Sequence, residues 1–217
     1  MRAVQLTSFG DPVDGLRYVD IPEPGAPGPN QVLIGIEFSP INPNDLNVAR
    51  GTYAFRPPLP AVIGNEGVGR VLALGSRVES VGGLSPLPPD ADPQQLAMLG
   101  INPPTAALLL GEYVDLKPGE WVVQNAANSG VGRWVIACAK TRGVKTVNIG
   151  RRPGLVAELE AIGGDVVVVD SPDVPERIKA AVGQAELRLA LDGVSGPATG
   201  VLAATLSPRA CSSALRS

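Results

Sequence analysis

Histidine is missing altogether from this sequence of 217 residues, cysteine occurs only twice, at Cys138 and Cys211, and aromatic residues make up 4%. Without histidine there is no imidazole general base, no Ser-His or Cys-His pair and no ring nitrogen for a metal, so hydrolase and zinc-enzyme chemistry lose their usual residues. Two cysteines so far apart make no metal spacing and read as reduced thiols. Long apolar runs are lacking too. Nothing approaches the roughly 20 residues of a bilayer span, and Met1-Arg2-Ala3-Val4 enters an alternating pattern with no signal-peptide core. The expectation is a cytoplasmic protein with no membrane partner. Charge of one sign is scarce as well, with 18 Lys and Arg against 21 Asp and Glu. That leaves no basic footprint for nucleic acid and favours a small molecule as partner.

What is present suits a globular α/β chain. Hydrophobic residues make up 44% of it, enough for a buried core, and most of its 22 prolines lie before residue 120. The first ninety residues read as short strands, Ala3–Thr7, Leu16–Ile21, Gln31–Phe38 and Val62–Leu74, separated by Gly, Pro and Asn. This predicts a small β-rich barrel. Asp92-Pro93 is a helix start, with proline at the first helical position, and a second helical piece spans Thr105–Leu110. From Glu120 onward apolar strands and helical segments alternate, Val166–Val169 being apolar throughout, as a parallel strand covered on both faces would be. Four strands are expected here, with no strand period in the tail from Pro208 to Ser217. The predicted boundary gives domains of residues 1–92 and 93–217.

The most informative stretch runs from Trp121 to Trp134, where an apolar strand passes through Ala126, Asn128 and Ser129 into a helix starting near Val131. Glycines at 130 and 132 let the backbone approach a pyrophosphate, and the first-turn N–H groups of a helix face its charge. The turn departs from the G-x-G-x-x-G pattern, so by itself it is a weak motif. After the next strand, Lys145–Ile149, stand Arg151 and Arg152. A NAD site usually carries an acidic residue there for the ribose hydroxyl, whereas two guanidiniums suit a 2′-phosphate. The pair reads either as an NADPH determinant or as a solvated loop, and the glycine turn before it favours NADPH.

Taken together, Ile41-Asn42-Pro43-Asn44-Asp45-Leu46, Gly51-Thr52-Tyr53, Pro60 to Gly69, Gly100 to Ala106, Asn125 to Gly132 and Arg151-Arg152-Pro153 resemble the medium-chain dehydrogenase/reductase superfamily. Within it the chain is similar to the zinc-free 2-enoyl thioester reductases and their quinone oxidoreductase relatives. The resemblance implies an α/β chain in which an incomplete GroES-like β-barrel precedes a partial Rossmann doubly wound parallel sheet. It implies NADPH-dependent reduction of an activated C=C bond, in an enoyl thioester or a quinone, by hydride transfer without metal. It implies Tyr53 beside the reacting thioester, Asn102 as a cofactor contact, Asn128, Ser129, Gly130 and Val131 with Gly132 as the pyrophosphate turn, and Arg151 and Arg152 at the adenosine phosphate. A homodimer through sheet edges is the family's habit.

Read from the residues alone, Tyr53 is equally a surface loop aromatic, Asn102 before Pro103-Pro104 is turn chemistry with extended backbone, and Asn128 and Ser129 are a strand-to-helix turn and cap. Asn65 stands where the zinc-bearing members carry histidine, so Glu66 reads as a surface or loop carboxylate and Asp45 as structural. The chain also departs from the family. Barrel strands usual after Gly83 and Rossmann strands usual after Gly200 are not recognisable, leaving the first Rossmann strand or its neighbour as a long apolar edge. A truncated, non-catalytic nucleotide-binding or interaction protein is therefore the alternative expectation, and a chain lacking those strands is expected to be poorly stable and weakly active at most.

Overall fold

The computed structural model describes residues 1–80, 84–208 and 210–214. It divides into two compact units, Met1–Gly100 and a second from Ile101 onward.

The first unit comprises β1 (Arg2–Leu6), α1 (Pro12–Gly15), β2 (Leu16–Asp20), β3 (Val32–Phe38), α2 (Pro43–Arg50), β4 (Ala61–Val62), β5 (Val68–Leu74) and α3 (Pro93–Leu96). β1 pairs antiparallel with β2 and β4, and β3 pairs with β5 in a separate two-stranded sheet. The β-rich half is thus two open sheets, an incomplete barrel. The single strand expected over Val62–Leu74 splits in two, because Gly64, at φ 136, turns the chain between β4 and β5. A small core of Leu6, Val48 and Ala49, flanked by Leu16, Leu59 and Ile63, seats α2.

That helix lies in a stretch expected to hold only strands and turns. Asn42 in extended backbone is its N-cap, Pro43 opens its first turn, and the Asp45 carboxylate accepts the Asn42 N–H at 2.7 Å. Asparagine, proline and aspartate are turn formers, and they are equally the residues of a helix entrance. Asp92 does cap α3 as expected, accepting from the Gln94 N–H at 2.9 Å.

The second unit holds α4 (Asn102–Gly111), β6 (Trp121–Gln124), α5 (Gly130–Thr141), β7 (Lys145–Gly150), α6 (Leu155–Ala161), β8 (Val166–Val169), α7 (Val174–Val182), β9 (Leu187–Asp192), α8 (Pro197–Thr205) and β10 (Cys211–Ala214). All strand pairs are parallel, in the order β10-β9-β6-β7-β8. The chain moves outward from β6 through β7 to β8 and then crosses back to β9, so strand order reverses between β6 and β9. In an open α/β sheet a ligand binds at the carboxyl ends of the two strands flanking that point. Buried residues cover both faces of the sheet. Val122, Leu189 and Leu191 pack with α4 and α5 on one side, and Val123, Val147 and Ile178 form a second cluster on the other.

Two expectations are corrected in this unit. The tail supplies a fifth strand, β10, whose backbone pairs with β9 from Cys211↔Leu189 to Ala214↔Asp192. It escapes periodicity because Cys-Ser-Ser-Ala has none, and what defines it is the free side of β9. β6 is therefore central, and the sheet's edges are β8 and β10. Asn102 does not sit in extended backbone either. It opens α4, with Pro103 and Pro104 in the first turn, where their missing N–H groups cost no hydrogen bond.

Candidate functional site

The crevice at the end of β6 is built by a short turn under backbone strain. Ala126 takes a left-handed φ of 47, a conformation that costs a non-glycine residue energy and persists only when its surroundings fix it. The neighbours do so. Ala127 N–H donates to the Ile149 carbonyl at 3.3 Å and Ser129 N–H to the Ala126 carbonyl at 2.8 Å. Ser129 then caps α5, its Oγ accepting from Gly132 N–H at 3.1 Å. Of the first-turn donors, the amides of Gly130 and Val131 remain for an anion at the helix's positive end.

Both glycines here are closely approached, Gly132 by backbone and Gly130 by a side chain. A Cβ on Gly132 would lie 2.6 Å from the Ala127 carbonyl oxygen, and one on Gly130 would lie 2.9 Å from the Asn102 side chain. The second contact brings Asn102, from the start of α4, against the same turn. Asn102, Asn128, Ser129, Gly130, Val131 and Gly132 therefore meet in one place.

Beneath the turn runs a buried polar ladder. Gln124 Nε2 donates to the Gly132 carbonyl at 2.9 Å and to Asn148 Oδ1 at 2.8 Å, and Asn148 Nδ2 donates to Thr146 Oγ1 at 2.9 Å and the Val166 carbonyl at 3.2 Å. Each member is satisfied, so the ladder ties α5 to β6, β7 and β8 without leaving an orphaned polar group.

Arg151 and Arg152 stand just past β7, exposed, and line a cavity of about 460 Å³ with Asn128 and Leu155. Arg151 also lines an adjoining cavity of about 470 Å³ together with Asn125, Asp170 and Val194. The two together are in the range of small-ligand sites. Among the described residues neither arginine is in an ion pair, whereas Arg133 on α5 is paired with Glu158.

The far wall contains a pair that sequence reasoning missed. Asp192, at the end of β9, is 2% exposed, and one carboxylate oxygen accepts from Asn125 Nδ2 at 2.7 Å, Val194 N–H at 3.0 Å and Ser195 N–H at 2.8 Å. The other oxygen accepts from the Thr199 hydroxyl. Asn125 returns the contact, its Oδ1 accepting from Gly193 N–H at 2.6 Å. The loop after β9, where Ser195 has φ 67, is thereby tied to the turn after β6. Burial pushes the Asp192 carboxyl up, but hydrogen bonds from Thr199, Asn125, Ser195 and Val194 outweigh it and hold the group down at about 2.

A carboxyl whose folded pKa lies below its unfolded value stabilises the fold above the unfolded pKa and loses that contribution as pH falls through the folded one. For Asp192 the loss begins below about pH 4 and is complete near about pH 2, and it amounts to roughly 2 kcal/mol. Urea midpoints are expected to fall across that window, and less steeply in Asp192→Asn. Equal slopes in the two proteins would remove Asp192 from the account.

Tyr53 belongs to the first unit, three residues beyond α2, and is 42% exposed. Its N–H donates to the Asn47 carbonyl at 3.2 Å, and its hydroxyl has no protein partner among the described residues. Asp45 is buried. Glu66 is a loop carboxylate between β4 and β5, as one of its two expected readings had it, and it is half-buried: its Oε1 accepts from Asn42 Nδ2 at 2.8 Å and its Oε2 is buried. Among the described residues no three His, Cys, Asp or Glu side chains gather as metal ligands, and no helix is long and apolar enough to cross a membrane.

Comparison with known proteins places this architecture. Residues 28–83 match the alcohol dehydrogenase GroES-like domain. A mitochondrial enoyl-[acyl-carrier-protein] reductase of Caenorhabditis elegans is 33% identical over 97% of this chain and 68% of its own length. The protein of the same description from Rattus norvegicus is 35% identical over 96% of this chain and 63% of its own. The chain thus spans about two thirds of these relatives. Among solved structures, a quinone oxidoreductase of Pseudomonas syringae superposes with a TM-score of 0.84 at 28% identity, covering 97% of this chain and 72% of that one. The complex of Etr1p with NADP and crotonyl-CoA gives a TM-score of 0.81 at 26% identity, over 97% and 73%.

Proposed function

The chain belongs to the medium-chain dehydrogenase/reductase superfamily, in its enoyl reductase and quinone oxidoreductase-like branch, and on that premise we propose that it is an NADPH-dependent reductase of an activated C=C bond in a 2-enoyl thioester or a quinone. The observation that carries this reading is the juxtaposition, in one unit, of a strained glycine turn opening α5 and two unpaired arginines past β7. The turn offers the amides of Gly130 and Val131 to a pyrophosphate, with Asn102 beside them, and Arg151 and Arg152 offer two forks to a 2′-phosphate. The names of the relatives, with enoyl-[acyl-carrier-protein], quinone, crotonyl-CoA and NADP among them, support the substrate and cofactor classes. A second copy of the chain is the partner that the branch suggests.

When bound, NADPH supplies the hydride. The protein's part is to hold a donor at the substrate oxygen where negative charge develops, and Tyr53 is that donor: its phenol stabilises the enolate oxygen or passes a proton to the α-carbon. Metal-free chemistry agrees with a sequence that has no histidine and two separated cysteines.

The direct test is oxidation of NADPH by purified protein in the presence of crotonyl-CoA or a quinone. Cofactor choice is tested separately. Arg151→Ala combined with Arg152→Ala is expected to weaken NADPH binding by about 10- to 100-fold, the worth of roughly 1.5–3 kcal/mol of charge-assisted hydrogen bonding, and to leave NADH binding unchanged. Equal dissociation constants for the two cofactors in the parent protein would refute the assignment.

A further inference from the structure

Asn42, Asp45, Asn65 and Glu66 form a polar cluster in the first unit that the reductase reading leaves without a task. Asp45 and Asn42 are buried, at 6% and 7% exposure. One Asp45 oxygen accepts from Asn42 N–H at 2.7 Å and the other from Asn65 Nδ2 at 2.6 Å. Asn42 Nδ2 reaches Glu66 Oε1 at 2.8 Å, and Ser39 Oγ donates to the Glu66 carbonyl at 2.7 Å. These bonds fasten the first turn of α2 to the turn between β4 and β5. Burying a carboxylate is costly unless its lone pairs are filled, and apolar packing would hold two loops together at less expense. What directed hydrogen bonds add is a fixed position.

At its other end α2 is equally fixed, and Tyr53 follows it by three residues. Gly51 closes the helix at φ 72, its N–H meeting the carbonyls of Asn47 and Val48. The N–H groups of Thr52 and Tyr53 both bond the Asn47 carbonyl, at 3.0 and 3.2 Å. The Arg56 guanidinium bonds the Gly51 carbonyl and lies 5.8 Å over the Phe9 ring, while Gly10 N–H holds the Ala49 carbonyl at 3.1 Å. From Asp45 to the end of α2 at Arg50 is about 7.5 Å at helical rise, and the turn from there to Tyr53 is held by hydrogen bonds.

We infer that Asp45 and Asn65 are positioning residues for Tyr53: the hydrogen bond between them sets α2 against the 64–67 turn, and α2 transmits that setting to the Tyr53 phenol. The inference rests on the reading of Tyr53 as the proton donor, and its test separates the two. The chain has three tyrosines, so labelling with 3-fluorotyrosine gives three fluorine resonances, and Tyr53→Phe identifies the one of interest. In Asn65→Ala, which removes one donor to the buried Asp45 carboxylate, the Tyr53 resonance is expected to shift or broaden while that of Tyr113, in the other unit, stays in place. Turnover of crotonyl-CoA should fall about 10-fold or more, the scale of misplacing a catalytic group, with NADPH affinity unchanged and no further loss in the Tyr53→Phe background. Combining Asp45→Asn with Asn65→Asp restores one donor and one acceptor to the pair and should recover both signal and rate.

An unmoved Tyr53 resonance in Asn65→Ala would overturn the inference, and so would a loss of rate that multiplies with that of Tyr53→Phe. A full-rate Tyr53→Phe would sink the catalytic reading of the phenol and leave the fluorine measurement to decide the positioning alone.

Discussion

Gly132→Ala is expected to cost this protein its cofactor binding and part of its stability, although it places a better helix former in α5. Helix propensity favours alanine over glycine by about 1 kcal/mol. Against this, the new Cβ would stand 2.6 Å from the Ala127 carbonyl oxygen and 2.8 Å from that of Ala126, closer than Cβ atoms come to anything. Neither atom can yield cheaply. Ala126 is already held at φ 47, Ala127 is bonded to Ile149 from the next strand, and the Gly132 carbonyl is fixed by Gln124. Overpacking against backbone costs roughly 1–3 kcal/mol, so the net effect on stability is a loss. The effect on binding is larger, because relief of the overlap moves the turn that orients the Gly130 and Val131 amides. A drop in NADPH affinity of about 100-fold or more is expected by calorimetric titration, the scale of losing two charge-assisted bonds. Gly130→Ala should be milder, since its Cβ meets the Asn102 side chain, which can turn away. Parental affinity in Gly132→Ala would mean that the turn is no anion site.

How much of this was legible beforehand divides along physical lines. Strands β6 to β9 were readable because burial on both faces leaves continuous apolar runs, and α5 because its glycine turn and serine cap are local signals. Helix α2 and the start of α4 were misread for one reason. Asn42-Pro43 and Asn102-Pro103 have the chemistry of a turn, and the same residues open helices, so the outcome depends on packing such as that of Val48 and Ala49 against Leu6. Strand β10 was invisible because its only warrant is the free side of β9. Within the candidate site, the turn and the arginines could be singled out from sequence because each is a run of neighbouring residues. The Asn125–Asp192 contact joins positions 67 residues apart. Its sole local trace is a polar residue at the carboxyl end of each strand flanking the point where strand order reverses.

Tyr53→Phe is expected to lower kcat for an enoyl thioester by about 100-fold or more, the contribution of a positioned proton donor at a developing oxyanion. The same change should leave stability and NADPH affinity as they are. The Tyr53 hydroxyl has no protein partner among the described residues and the side chain is 42% exposed, so removing one oxygen orphans nothing and creates no cavity. The residues proposed to hold the cofactor, Asn102, residues 128–132, Arg151 and Arg152, all belong to the second unit, and the change alters none of them. These two silences make the rate informative. A tyrosine present for packing would lose stability on truncation and no rate, whereas one that touches the reacting atoms loses rate at constant melting temperature. Single-turnover oxidation of NADPH by crotonyl-CoA, run with thermal unfolding of the same samples, reads both. A variant that turns over like the parent would make Tyr53 an exposed loop aromatic and require the proton to come from solvent or from another side chain of the first unit.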